Sequence, residues 1–365
     1  MRNTIFGMCL LIPFLVGCAQ NGAENDENGD APDSNNVSAT AILTLPVFVV
    51  EWSEYPSWSA IDVAGLLEII NSQEGGEHSE IELKHGVDIV LKRRDYIQSM
   101  TEFSGGQCDA VTVTNIDALN LAKGRPSTAV LPTSTSAGAD GVLAIGVTTI
   151  EELKGTTVYG PEDCVSEYLW IRAVQQKNLN PDDYQFANME PDAAAIAIQG
   201  SNEGDKVQAA CLWQPFLLQT QRSRPEANLI VDSTIIPLEI IDLVLVGNDS
   251  PQKDAGSSAL AEAYYELNKQ LLSPEKGDEI TEAIGKKFSR LPLEDMKQVL
   301  QVCQFFKTAA EAQALFGDPK WQETMSTTVM ETAVTAGIVK KSDKPTIGFN
   351  DEGVQLNFST KYLVE

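Results

Sequence analysis

The sequence predicts an α/β protein of two lobes, each a β-sheet covered by helices. Three observations carry this expectation. Short apolar runs, turns and helical stretches alternate along the chain, the pattern that builds parallel sheets flanked by helices. The body that follows residue 40 is longer than one hydrophobic core usually serves. The largely apolar run Ile240 to Val246 (IIDLVLV) reads as a continuous buried strand that returns the chain to the first lobe.

Ala41 to Val50 (AILTLPVFVV) reads as a buried strand, and Trp58 to Asn71 carries a helical stripe of Ile61, Ala64, Leu67, Ile69 and Ile70. Val87 to Leu91 is a second strand, and Asp95 to Gly105 a helix stopped by Gly105 and Gly106. Ala110 to Val113 is a third strand, leading into a helix over Asn115 to Lys123, and Val142 to Val147 leaves the first lobe. In the second lobe Thr156 to Tyr159 is a strand. Gly160-Pro161-Glu162-Asp163 then opens a helix to about Lys177, where proline's fixed dihedral and two acids favour the first turn. Asp192 to Gln199 reads as a helix and Ala209 to Trp213 as a short strand. Ala259 to Leu272, Gly277 to Phe288, Leu293 to Phe306 and Thr324 to Ala336 are helical. The expected divisions are 41–140 for the first part of lobe 1, 141–235 for lobe 2, and 236–365 for the return to lobe 1 and the C-terminal helices.

At the N-terminus, Arg2 precedes an apolar run from Ile5 to Val16 that closes on Leu15-Val16-Gly17-Cys18, similar to the lipobox of bacterial lipoproteins. Residues 1–17 are therefore expected to leave as a signal peptide, and Cys18 to carry lipid that anchors the chain to a membrane on its periplasmic or extracytoplasmic side. The run is too short, and broken by Pro13, to cross a hydrocarbon core of ~30 Å. Residues 18–40 are rich in Asn, Gly, Glu, Asp and Ser and read as a disordered acidic tether with a root-mean-square reach of about 25 Å.

The chain has 26 basic and 52 acidic residues, a net charge of −26, which argues against nucleic-acid partners and favours a soluble monomer. Most of those carboxylates read as solvated surface. Of six cysteines, Cys9 leaves with the signal and Cys18 is acylated. Cys108, Cys164, Cys211 and Cys303 remain, either as buried free thiols or with one bridge, Cys164 to Cys211. With only His78 and His85 and no Cys-x-x-Cys spacing, no metal site or cofactor is expected. No Ser-His-Asp set, phosphate loop or recognisable pair of catalytic carboxylates is present, so no enzyme is predicted.

Several segments carry a family likeness: Trp52-Ser53-Glu54-Tyr55-Pro56-Ser57-Trp58; Gly86-Val87-Asp88-Ile89 with Asp95 to Ser99; Phe103 to Ala110 running into Val113-Thr114-Asn115-Ile116-Asp117-Ala118-Leu119; Ser136 to Gly141; Glu162 with Ser166 and Tyr168; and Trp213-Gln214-Pro215. Over residues 41 to 250 they resemble the periplasmic substrate-binding proteins of nitrate, sulfonate and bicarbonate-type ABC transporters (NMT1/THI5-like). The likeness is closest to the binding proteins associated with urea carboxylase regions. That resemblance implies a type II periplasmic-binding-protein-like fold, a ligand in the interlobe cleft, and a permease and ATPase as partners. One departure stands out. A turn that is Ser-Asn-Gly-Asn-Asp in the family reads Ser136-Ala137-Gly138-Ala139-Asp140 here, which removes two amide groups and puts ligand identity in question. The fold also resembles the thiamine-pyrimidine synthases, but the scattered cysteines and the positions of both histidines do not match that chemistry.

Open α/β sheets bind ligands beyond the carboxyl ends of their strands, where these motifs fall. The candidate ligand-binding residues are Trp52, Tyr55, Trp58, Thr114, Asn115, Asp117 and Asp140, with Glu162 and Trp213 from the second lobe. Trp58 also suits a core position, Asp117 a helix cap and Glu162 a helix dipole. Aromatic faces with carboxylates, and no Lys or Arg in these blocks beyond Arg93 and Arg94, favour a small nitrogenous solute such as guanidine, an amidine or urea. The alternatives are a small anion, sulfonate or nitrate, held at helix N-termini, and a solute-sensing lipoprotein that transports nothing.

Overall fold

A computed structural model describes residues 44–364. The expected signal peptide, the lipid site at Cys18 and the tether lie outside the described residues. The described residues belong to one compact unit that holds two sheets.

The first sheet opens with β1 (Val47–Trp52), β2 (Asp88–Arg93), β3 (Ala110–Thr114) and β4 (Ser127–Ser136). The second takes β5 (Asp140–Ala144), β6 (Thr157–Gly160), β7 (Gln185–Asn188), β8 (Ala209–Trp213) and β9 (Asn228–Asp232). The chain then returns with β10 (Ile241–Gly247), β11 (Cys303–Phe305), β12 (Ile347–Phe349) and β13 (Leu356–Phe358). The first sheet runs β12-β13-β4-β10-β3-β1-β2 with β11 beside β4, and the second β7-β6-β8-β5-β9. Around them lie α1 (Pro56–Leu66), α2 (Glu80–His85), α3 (Tyr96–Ser104), α4 (Asn115–Gly124), α5 (Val165–Gln176), α6 (Pro191–Gly200), α7 (Phe216–Ser223) and α8 (Lys253–Leu271). Further α-helices follow at 277–287, 293–302, 309–317, 319–324 and 330–335.

Strands β1 and β3 are built from β-branched and aromatic residues, and their parallel pairing buries Phe48, Val50, Val111 and Val113. The sheet is mixed rather than parallel. Because the chain comes back from the second lobe, β10 enters between β3 and β4 and runs antiparallel to both. Every residue of β10 is buried, the apolar majority as its sequence requires and Asp242 with them.

Two expected helices are corrected, and the structure adds a strand and decides between the two alternatives for the cysteines. Strand β4, whose sequence is STAVLPTSTS, is buried at every position although it shows no apolar alternation. A bulge opposite Asp242 and Leu243 passes over Thr133, and its freed carbonyl accepts from Phe306 N (3.0 Å) and the Tyr264 hydroxyl (2.6 Å). The helix expected from Gly160 starts only at Val165, because Asp163 is left-handed (φ 55°) and Cys164 takes the N-cap. The helix expected to reach Phe306 stops at Val302, since residues 303–305 form β11 and pair antiparallel with Ser134 to Ser136. Of the two alternatives for Cys164 and Cys211, the structure has the free thiols and not the bridge. Both thiols are free and buried, Cys164 donating to Pro161 O (3.2 Å) and Cys211 to Ser166 O (3.4 Å).

The chain crosses between the sheets at 137–139 and 233–240, and polar contacts bolt both crossings. The Ser136 and Ser233 hydroxyls are 2.7 Å apart, and Ser233 also accepts from Gly138 N at 2.8 Å. Asn115 brackets the second crossing, donating to Glu239 O (3.0 Å) and accepting from Ile241 N (2.9 Å). The Glu239 carboxylate takes a forked pair from Arg172 of α5 at 2.7 and 2.6 Å, and the Tyr168 hydroxyl at 2.5 Å.

Gly256 in α8 lies against the ring of Phe48 so closely that a methyl group would overlap it. Alanine normally favours a helix over glycine by ~1 kcal/mol. Gly256→Ala is therefore expected to destabilise by roughly 1–3 kcal/mol through overpacking, measured by denaturant unfolding. A gain in stability would overturn this packing account.

Candidate functional site

The carboxyl end of β1 runs through Ser53 and Glu54 into α1, which places Tyr55 and Trp58 on the floor of a cleft between the two sheets. The cavity there holds about 540 Å³. The first lobe contributes Tyr55, Trp58, Tyr96, Thr114 and Asp242, and the second Asp140, Val165, Trp213 and Phe216. The rings form a chain across it. Tyr55 and Trp58 have centroids 4.9 Å apart, Trp58 stacks on Tyr96 at 5.6 Å, and Tyr96 meets Trp213 of the second lobe edge-on at 6.0 Å.

Two carboxylates sit under these rings, one from each sheet. Asp242, near the start of β10, lies opposite Thr114 and Ser134 in register and accepts from the Ser134 hydroxyl at 2.6 Å. Asp140 opens β5, opposite Trp213, and accepts from the Ser136 hydroxyl at 2.5 Å. Burial pushes Asp140 from its ordinary 3.8 up to about 6, against the Ser136 bond that holds it down. Burial pushes Asp242 well above the usual carboxylate range, with the Asp140 charge adding to it. The cations in the lining, Arg93 and Arg94, are already engaged, Arg93 with Glu54 and Arg94 with Glu102 at 3.0 Å.

The expected residues divide into two groups. Tyr55, Trp58, Thr114, Asp140 and Trp213 line the cavity. Trp52, Asn115, Asp117 and Glu162 do not. Trp52 is buried in the first lobe's core, Asn115 holds the second crossing, and Glu162 is exposed, displaced by the late start of α5. Asp117 lies behind Tyr96, accepting from its hydroxyl at 2.5 Å and from the Thr114 hydroxyl at 2.8 Å, while Thr114 caps α4 by accepting from Asp117 N. Burial raises Asp117 to about 6, with hydrogen bonds from Tyr96, Thr114 and the Val165 amide pulling the other way. Its place is that of a holder of Tyr96.

The sequence reading missed Tyr96 and Asp242. A signal for Asp242 was present, since a lone acid inside IIDLVLV has no structural reason to interrupt a buried strand. Tyr96 lay within the Asp95 to Ser99 segment of the family likeness, but as a first-turn helix residue it carried no local mark of a place in the cavity. Groups of His, Cys, Asp and Glu arranged to hold a metal are absent among the described residues.

No protein-family model matches the chain, and no curated protein matches it. Solved structures do. The chain is similar to the alkanesulfonate-binding protein of Xanthomonas axonopodis bound to MOPS, at 13% identity over 78% of this chain and 94% of that one, with a TM-score of 0.57. It is similar to the nitrate-binding protein of Synechocystis at 10% identity over 83% and 91%, TM-score 0.55. A Candida albicans protein described as having the generic periplasmic binding protein fold matches at 16% identity over 82% and 92%, TM-score 0.59. With two helix-flanked sheets around a cleft, this chain has the periplasmic-binding-protein fold.

Proposed function

We propose that the protein is the extracytoplasmic solute-binding component of an importer, capturing a small cationic nitrogenous solute by lobe closure and passing it to a membrane permease and its ATPase. It acts as a binding protein and not as an enzyme. Lipid on Cys18 would keep it at the membrane. The likeness to binding proteins of urea carboxylase regions rests on the sequence segments alone.

One observation carries the cation reading: Asp140 and Asp242 are buried in an aromatic cavity whose lining cations are both engaged elsewhere. An uncompensated buried carboxylate is costly, and a cation over ring faces gains ~0.5–2 kcal/mol beside neutralising it. Contacts from both lobes then favour the closed state, because only differential affinity shifts such an equilibrium. The second reading, a small anion, is the one the structural comparisons favour over the cation, since neighbours are alkanesulfonate-, sulphonate- and nitrate-binding proteins. An anion would have to meet Asp140 and Asp242 in their protonated forms.

Thermal unfolding across guanidinium, amidines, alkylamines, urea, nitrate and sulfonates separates these readings. A ligand at 100 times its Kd is expected to add ~2.7 kcal/mol. The expected result is stabilisation by cations at concentrations too low to denature, lost in Asp242→Asn. Stabilisation by sulfonate or nitrate alone would overturn the cation reading.

The pH dependence has a definite sign. A carboxyl raised from 3.8 to about 6 by folding contributes stability that is present below 3.8 and lost as pH rises through about 6. The ligand-free protein is thus expected to lose stability between about pH 4 and 6. A cation favours the ionised form, so its affinity should be about tenfold weaker at pH 5 than at pH 7.5, measured by calorimetric titration. An anion would show the opposite slope.

A further inference from the structure

The two crossings between the lobes are built differently. The first places a glycine, Gly138 (φ 106°), in the positive-φ region, whereas the second places Leu238 there (φ 61°). Of the non-glycine residues described with a positive φ, Leu238 alone has an apolar side chain, so no polar group of its own offsets the clash of its Cβ with the backbone. Ile236 to Glu239 form a β-turn closed by Glu239 N on Ile236 O at 3.1 Å. Pro237 in its second place suits a type II turn, whose third place calls for glycine. A bulky residue held there stores strain that its surroundings must maintain.

The backbone holds change lobe at this residue. Before it, the Ile235 carbonyl accepts from Gln176 of α5 at 2.9 Å, which fixes the entrance of the turn to the second lobe. From it onward, the carbonyls of Leu238 and Glu239 accept from first-lobe groups, the Trp321 indole N–H and the Asn115 amide, each at 3.0 Å. The Glu239 side chain reaches back to Arg172 and Tyr168, through rotatable bonds rather than a backbone hold. Pro237 has its φ locked by its ring, so Ile236 and Leu238 are the residues free to turn, and Leu238 is the one held in the left-handed region. Trp321 is firmly seated, its ring 5.2 Å from Phe358 of β13 and 5.5 Å from Phe316. It belongs to a helical run that is α-helical at 319–324 and 330–335 with a π-turn, Met325–Val329, between. Trp321, Met325, Val329 and Ala333 are buried at every fourth place, a spacing that drifts about 40° per step in an α-helix. The wider π-turn takes up that drift and keeps these residues on one face. From this run Met325 Sδ accepts from Asn115 at 3.2 Å, and Thr332 meets Gln175 of α5 at 3.2 Å.

We propose that Leu238 is the pivot of the second crossing, and that the Trp321 indole, by holding its carbonyl, biases the lobes toward the arrangement in which Tyr96 meets Trp213. The inference rests on the reading that the lobes move and is independent of the charge of the solute. Parting the lobes lets Leu238 relax to a negative φ and breaks the Trp321 hydrogen bond. Strain and bond therefore oppose each other and set the balance between the two arrangements.

The test is pulsed spin-label distance measurement on the ligand-free full chain, with labels at Thr101→Cys on the first lobe and Ala193→Cys on the second. Both sites are exposed, the four cysteines among the described residues are buried, and the chain without the two substitutions is the labelling control. Leu238→Gly is expected to raise the ratio of lobes together to lobes apart about fivefold. Leu238→Val, β-branched and worse at positive φ, is expected to lower it. Trp321→Phe keeps the ring and removes the N–H, and is expected to lower it by a similar factor. Leu238 is 41% exposed, so its series carries the test should Trp321→Phe not fold. No ordered change across glycine, leucine and valine at position 238 would overturn the pivot. A change there with none in a folded Trp321→Phe would overturn the role of the indole. A single distance that neither the variants nor guanidinium, nitrate or an alkanesulfonate alter would overturn lobe closure together with the pivot. Movement with one of those solutes but not with the variants would overturn the pivot alone and leave the binding reading standing.

Discussion

The hydroxyl of Ser136 is the contact on which the cleft depends. It donates to Asp140, the carboxylate that faces the cavity, and lies 2.7 Å from Ser233 on the opposite crossing. Ser233 in turn holds Gly138 N. One short run of polar contacts therefore ties together the two places where the chain passes between sheets and a carboxylate of the cavity. Anything that changes the charge or position of Asp140 acts on the crossings directly, and anything that turns one lobe against the other acts on Asp140.

This explains why the centre of the molecule is polar where a core would ordinarily be apolar. Strand β4 carries Ser134 and Ser136, and these two hydroxyls serve Asp242 and Asp140. Ser134 lies 2.8 Å from Ser57, which meets Thr133 at 2.9 Å, so the support continues into α1, the helix that carries Trp58. Buried hydroxyls of this kind keep a carboxylate oriented in low dielectric, where its alternatives are protonation or an incoming cation. Asp117 makes the same arrangement one layer back, through Tyr96.

Much of the scaffold could be read from the sequence because the deciding forces are local. IIDLVLV is buried on both faces by its own composition, and Thr114 announces the start of α4 by its capping hydroxyl. Strand β4 was illegible because its residues are polar and are buried only by partners far away in sequence, β10 and β13 among them. The same reason hid Asp242. Its significance depends on Ser134, 108 positions earlier, and on Asp140 from the other sheet, neither of which a local pattern reveals. Glu162 was misplaced for a backbone reason, the left-handed Asp163 that delays α5 past it. The place of Tyr55, Trp58 and Trp213 on the cavity wall was legible because large rings fall beside strand ends there.

The connectivity has a consequence for how the chain assembles. Every strand of the second sheet lies between Asp140 and Asp232, an uninterrupted stretch, whereas the first sheet keeps a place open for β10 until Ile241 and for its edge until Phe358. A chain emerging from its N-terminus possesses all the strands of the second sheet while β3 and β4 still lack the strand that separates them. The lobe that sits in the middle of the sequence is the first whose pairing can be completed, and the polar interior of β4 stays open to water until the returning strand covers it.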